Sequence, residues 1–290
     1  MAHLQQRRAE NIEGNFYVDS TCIDCDTCRW LAPETFHRHG SMSAVYHQPI
    51  NEAEQISALQ ALLSCPTASI GTLDKPTDIK AAHHTLPLLV AESVYYCGYH
   101  SESSYGAASY LIQREEGNIL VDSPRFVPPL VKRLEEMGGV RYMYLTHIDD
   151  VADHEKFHQH FGCERILHRD EINAATEGVE IQPTGSQDFN LAPDLLIIPV
   201  PGHSKGHTVL LYRQKFLFSG DHLAWSASWQ HLHAFRNYCW YSWTEQINSM
   251  QKLANYSFEW VLPGHGRRYH ADVATMKQQM HKCLSWMEQQ

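Results

Sequence analysis

Apolar and polar positions follow two different patterns along the chain. Beyond Leu88, short apolar runs are cut by Gly, Ser and Asn turns, which predicts strands at 88–94, 108–113, 118–122, 141–145, 163–168, 195–200, 209–212, 215–219 and 260–262. Helices are predicted at 125–137 and 245–255, and another opens at the acidic run from Asp149. Before Leu88 the segment 52–64 is helix-like, the first 15 or so residues are polar enough for a loose arm, and 72–88 mixes charges with two prolines. The pattern predicts an α+β protein with a small domain at 1–75, a linker at 76–87 and a larger domain at 88–290.

Several of these β-runs end in metal-binding chemistry. The strand at 141–145 runs into Thr146-His147-Ile148-Asp149-Asp150-Val151-Ala152-Asp153-His154, where two imidazoles and three carboxylates crowd one strand tip and helix start. Neutral imidazole and ionised carboxylate are ligands common to zinc, iron and manganese. With 20 His in 290 residues, this cluster alone is equally compatible with a surface His beside an acidic helix cap. Three further runs repeat the arrangement: Pro201-Gly202-His203 with His207, Gly220-Asp221-His222, and Pro263-Gly264-His265-Gly266. Four β-runs ending in a turn that carries His or Asp are far less expected by chance than one.

A second signal lies near the N-terminus. Cys22, Cys25 and Cys28 form a C-x₂-C-x₂-C run, a pitch at which three thiolates wrap one face of an iron–sulfur cluster, and Cys65-Pro66 follows the helix-like segment. A four-cysteine zinc site and a disulfide framework are the alternatives, although zinc sites usually pair two C-x₂-C units or add His. The formal charge of −10 gives no basic footprint for nucleic acid or an anionic membrane, and no apolar run approaches a membrane span. The start of the chain lacks the apolar core of a signal peptide, so the expectation is a reducing compartment, cytoplasmic or an organelle stroma after removal of a transit peptide. Cys97, Cys163, Cys239 and Cys283 then read as buried structural thiols.

Two resemblances follow from these motifs. Val18-Asp19 with the three cysteines, Ala32-Pro33-Glu34 before Phe36, and the remote Cys65-Pro66 closely resemble single-cluster bacterial ferredoxins over 16–72. This implies a 4Fe-4S cluster on Cys22, Cys25, Cys28 and Cys65, and acidic Asp19, Asp24 and Asp26 beside it would favour a low reduction potential. Residues 88 to about 275 resemble the metallo-β-lactamase superfamily through Val121-Asp122, the Thr-His cluster, Pro-Gly-His-Ser-x-Gly-His, Ser-Gly-Asp and Leu-Pro-Gly-His-Gly. That implies an αββα sandwich with two divalent metal ions, iron or zinc. The implied ligands are His147, His203 and His265, Asp221 as the bridge, and Asp153 with His154 as an Asp-His pair; Asp122 is a support, and His207 and His222 are not ligands. The sequence departs from the superfamily's His-x-His-x-Asp-His, because Asp149 stands at the second His and two extra residues precede Asp153. A carboxylate there shifts preference from zinc toward iron or manganese, as in flavodiiron proteins, while the insertion leaves open whether Asp149 or Asp150 is the ligand.

The resemblances imply two activities on a small-molecule substrate. One, similar to glyoxalase II, is hydrolysis of an ester, thioester or lactone by a metal-generated hydroxide, with Asp153 handling the proton. The other is a di-iron oxidoreductase acting on oxygen or nitric oxide, with electrons delivered through the cluster from a redox partner protein. The aromatic stretch 225–243 has helical Trp spacing and reads as a core or interface helix, or as a substrate wall. Arg267 and Arg268 read as surface charge or as an anchor for an anionic substrate.

Overall fold

The computed structural model describes residues 2–290, which divide into two compact units. The first runs to Ile119 and includes Ser123–Val140. Its elements are β1 (Phe16–Val18), α1 (Thr27–Leu31), β2 (Phe36–His39), β3 (Met42–Val45), α2 (Glu52–Ser64), β4 (Ile70–Thr72), α3 (Ile79–His84), β5 (Leu88–Ala91), β6 (Val94–Tyr96), β7 (Tyr110–Ile112) and α4 (Pro128–Glu136). β1 pairs antiparallel with β4, and β2 with β3. Phe16, Val18, Phe36, Val45, Leu59 and Ile70 make the core beneath the cysteines. α2 forms because Asn51 caps it, accepting from Glu54 N at 3.0 Å, and it stops before Pro66.

The first residues are not a loose arm. The His3 backbone donates to Asp19 Oδ2 at 2.7 Å, and the Asn11 side chain binds Val18 N, Val18 O and Val45 N. Polar side chains substituting for a strand partner leave no hydrophobic period to read. The connecting segment likewise contains α3, docked through buried Ala82.

The second unit comprises Leu120–Asp122 and Arg141–Gln290. Its elements are β8 (Ile119–Val121), β9 (Tyr142–Tyr144), α5 (His154–Phe161), β10 (Glu164–Ile166), β11 (Phe189–Ala192), β12 (Leu195–Pro199), β13 (Thr208–Tyr212), β14 (Phe216–Gly220), β15 (Ala224–Ser226), β16 (His231–His233), α6 (Trp243–Leu253), β17 (Trp260–Pro263), β18 (Tyr269–His270) and α7 (Val273–Met287). β8, β9 and β10 lie side by side in that order, and a six-stranded sheet has the order β11-β12-β13-β14-β17-β18. β13 and β14 are buried at every position, as strands covered on both faces must be, and β14 runs parallel to β17. Parallel pairing brings the C-terminal ends of β14 and β17, carrying Asp221 and His265, to the same sheet edge.

The acidic run after β9 does not begin a helix at once: Ile148–Asp150 is a single 3₁₀ turn, and α5 starts only at His154. The aromatic stretch is not a helix either, since β15 and β16 form an antiparallel hairpin across it. Trp225 stacks flat on Tyr269, 4.0 Å between ring centroids, so the helical Trp spacing is coincidental. No described helix is long and apolar enough to cross a membrane.

Candidate functional site

The candidate metal-binding side chains and their supports meet beyond the ends of β8, β9, β12, β14 and β17. Asp122 Oδ1 accepts from Thr146 N at 2.8 Å and from the Thr146 hydroxyl at 3.0 Å, and Thr146 Oγ1 lies 2.9 Å from His147 Nδ1. With its proton given to Asp122, the hydroxyl oxygen accepts from His147 Nδ1–H, which leaves the Nε2 lone pair to face the site. Burial lowers the His147 pKa to about 4, with Asp221 opposing, so the ring is neutral at pH 7, as a ligand must be. Burial raises Asp122 to about 7 against its two bonds from Thr146.

Four donor atoms converge. His203 Nε2 lies 3.3 Å from Asp149 Oδ2 and 3.9 Å from Asp221 Oδ2, and His147 Nε2 lies 3.7 and 3.8 Å from the same two oxygens. Donors held about 2.1 Å from a four-coordinate ion are about 3.4 Å apart, so these edges fit one metal with little movement. His147 Nε2 is buried without a hydrogen-bond partner, which a metal would supply. The hydrogen bond from His203 holds Asp149 below the usual carboxylate range although burial opposes it. The Asp149 side chain keeps 50% exposure, so this position is open on one side.

A second group is formed by His147, Asp150 and Asp221. The Asp150 side chain is 1% exposed, and neither of its oxygens has a hydrogen-bond partner. Burial, then Asp221 beside it, pushes this carboxyl well above the usual range. At Asp221 burial also opposes the charge, but His265, His147 and His203 outweigh it and hold the carboxyl below that range. His265 Nδ1 lies 2.7 Å from Asp221 Oδ1. A Cβ at Gly264 would stand 2.6 Å from Asp150 Oδ2, so only glycine lets this turn close over Asp150. Two buried carboxylates, one of them unpartnered, fit a cation here, and the donor set as a whole fits a metal pair.

Asp153 and His154, implied as the Asp-His pair, are not brought into either group. Asp153 sits before α5 and accepts from Lys156 Nζ at 2.7 Å, and His154 Nδ1 accepts from Arg165 at 3.2 Å. The two extra residues shift the register, so the tight turn after His147 presents Asp149 and Asp150 and carries Asp153 past the site. His207 stacks on His147 at 4.8 Å and accepts from Asp221 N at 3.1 Å, which buttresses two ligand positions. His222 lies beside Gln246 Nε2, 3.0 Å from its Nδ1. Thr146 is the supporting residue that the sequence alone did not single out; its signal was its place between a strand and a candidate ligand. The Arg267 backbone bridges to Trp225.

In the first unit Cys22, Cys25, Cys28 and Cys65 line one cavity with Val18, Ile23, Thr27, Ser43, Thr67, Ser69 and Ile70. All four are free thiols, and backbone N–H groups already point at two sulfurs, Ser69 N at 3.2 Å from Cys65 Sγ and Ser43 N at 3.5 Å from Cys22 Sγ. Such donors suit cluster thiolates, and the cavity fits a 4Fe-4S cluster. The expected acidic surroundings are largely neutralised. Arg29 pairs with Asp26 at 2.5 Å and Asp24 at 2.6 Å, and Arg38 reaches Asp24 at 2.7 Å, so the argument for a low potential loses most of its charge. Of the other cysteines, Cys97, Cys163 and Cys283 are buried, and Cys239 is partly so.

Residues 18–72 match the family described as the 4Fe-4S single cluster domain of ferredoxin I. No curated protein sequence matches the chain at a significant level. Among solved structures, the chain is similar to a metallo-β-lactamase from Pontibacter korlensis, at 19% identity and TM-score 0.51 over 70% of this chain and 98% of that one. It is also similar to the B3 metallo-β-lactamase BLEG-1, at 16% identity and TM-score 0.52 over 67% and 99%. The metallo-β-lactamase FIM-1 from Pseudomonas aeruginosa, in its mono-zinc form, gives 16% and 0.51 over 68% and 93%. The fold is therefore a small ferredoxin-like iron–sulfur domain followed by an αββα metallo-β-lactamase sandwich with candidate metal-binding residues.

Proposed function

We propose that this chain is an oxidoreductase with a dinuclear iron site, fed with single electrons by its own 4Fe-4S cluster. The observation that carries the reading is the donor set: His147, His203, Asp149 and Asp221 at one position, and His147, Asp150 and Asp221 at the other, with His265 Nδ1 2.7 Å from Asp221 Oδ1. Two imidazoles, two carboxylates and an open side add one carboxylate to the two-His, one-carboxylate ligation of non-haem iron, and Asp150 as a third carboxylate hardens the pair further. Iron held by these residues would supply one-electron chemistry toward a small acceptor such as oxygen or nitric oxide.

The chain's own residues prepare that chemistry. Asp122 and Thr146 fix the His147 tautomer, Asp221 holds its charge between three imidazoles, and the half-exposed Asp149 leaves a way in from solvent. Cys22, Cys25, Cys28 and Cys65 hold the cluster, which a redox partner protein would recharge. Hydrolysis of an ester, thioester or lactone is the competing reading, favoured by the fold shared with the β-lactamases. In it Asp150 replaces Asp153 as the acidic residue at the metal pair.

Metal analysis of anaerobically purified protein, combined with turnover, separates the two. About six iron per chain, with reoxidation of reduced protein by oxygen or nitric oxide over many cycles, is the expected result. About four iron with two zinc, and thioester or lactone hydrolysis at one rate whether the cluster is oxidised or reduced, would overturn the proposal.

A further inference from the structure

The segment that follows the ferredoxin-like region belongs to the same compact unit and reaches Cys25 in two ways. The first is contact. Gly106 has φ +85°, and a Cβ there would stand 3.0 Å from Pro66 Cγ and 3.1 Å from Cys25 Cβ, so the backbone closes over this ligand. The second is a line of polar atoms. Thr27 Oγ1 lies 3.5 Å from Cys25 Sγ and 3.1 Å from His100 Nδ1, and His100 Nε2 lies 2.5 Å from the Tyr96 hydroxyl. Thr27 is 2% exposed, His100 1% and Tyr96 0%, so water does not compete for these atoms.

Cluster binding fixes the direction of every bond in that line. A free Cys25 thiol can donate to Thr27, but a ligated Cys25 is a thiolate with no proton to give. The Thr27 hydroxyl must then donate to Sγ, its oxygen accepts from His100 Nδ1–H, and His100 Nε2 is left to accept from the Tyr96 O–H. We propose that Tyr96, His100 and Thr27 form a one-way donor chain that ends on the Cys25 sulfur and sets the reduction potential of the 4Fe-4S cluster.

Reduction adds one electron to the cluster from a one-electron donor of the dithionite class, which is oxidised. No covalent bond changes and no proton leaves the chain. The added negative charge is shared by the sulfurs, and a hydrogen bond donated to sulfur stabilises it, so the chain raises the potential. Each bond polarises the next in a dry, low-dielectric site, so the Tyr96 hydroxyl acts on the cluster through two intervening side chains. The three are positioning residues. The inference rests on the cluster assignment alone and stands whichever reaction the second unit performs.

The test is an EPR-monitored redox titration of the full-length protein with dithionite, reading only molecules that carry the cluster. Thr27→Val is expected to shift the midpoint potential to a more negative value, and Thr27→Ser, which keeps the hydroxyl, to restore it. Tyr96→Phe keeps the ring that packs edge-on to Trp30 at 5.0 Å and removes only the first donor, so a smaller shift of the same sign is expected. A wild-type potential in Tyr96→Phe overturns the chain, whatever Thr27→Val does. So does a Thr27→Val shift that Thr27→Ser fails to reverse. If Thr27→Val does not hold a cluster, Tyr96→Phe decides alone.

Discussion

Asp150→Asn is the substitution on which the metal-free and metal-loaded proteins should respond with opposite sign. Asp150 is buried with both oxygens unpartnered, and burial raises its pKa well above the usual carboxylate value. A carboxyl whose pKa is higher in the folded than in the unfolded chain contributes stability that is whole below the unfolded pKa and is lost as pH rises through the folded one. Without metal, the penalty at pH 7 cannot exceed that of holding a proton about three pH units above its usual value, about 4 kcal/mol. Asparagine keeps the shape and removes this titration, at the expense of an unpartnered amide worth about 1–3 kcal/mol that does not depend on pH. The slope is therefore diagnostic where the offset is not. In chelator-treated protein followed by thermal unfolding from pH 5 to 7.5, Tm of Asp150→Asn relative to wild type should climb with pH. Across that pH range the bound is about 3.4 kcal/mol, so at about 2–4 °C per kcal/mol the relative rise reaches at most about 7–14 °C. In the loaded protein the same change removes an anionic ligand, and metal content at the second position should fall by far more than the 10- to 100-fold typical of losing a supporting partner. Parallel Tm–pH curves, or full metal content in the variant, would show that Asp150 is an ordinary buried acid and that the second position lies elsewhere.

Three further outcomes are expected. Cys65→Ser should abolish or convert the four-iron cluster while the second unit keeps its metals, read by iron content and the cluster absorption; an unchanged spectrum rules out Cys65 as the fourth ligand. Asp149→His should move the preference of the first position from iron toward zinc in competition loading, and equal preference in both proteins would remove the hardness argument. Asp153→Ala should leave metal content and turnover within twofold of wild type, because its carboxylate is bound to Lys156; a loss equal to that of Asp150→Asn would restore Asp153 to the site.

What could be read from the sequence was set by how local the cause was. The paired Cys spacing, the strand tips that carry His147, His203, Asp221 and His265, and the continuous apolar runs of β12 to β14 are written in contiguous residues, and those elements stand where they were expected. α7 was equally legible, with Met276, Met280, Cys283 and Met287 at helical spacing on its buried face, but no motif drew attention to it. The hairpin at β15 and β16 was not, because its Trp spacing imitates a helix while its pairing is with a partner strand and its packing with Tyr269, forty-odd residues away. The carboxylates after His147 show the limit most directly. A motif assigns ligands by counting from the first His, but the chain places them by backbone path, and a 3₁₀ turn advances differently from the extended strand end before it. Two inserted residues are enough to exchange which acid faces inward, and the exchange shows in burial: Asp150 is buried and has no hydrogen-bond partner, whereas Asp153 has Lys156. The unsatisfied group, rather than the motif register, makes Asp150 the candidate cation ligand.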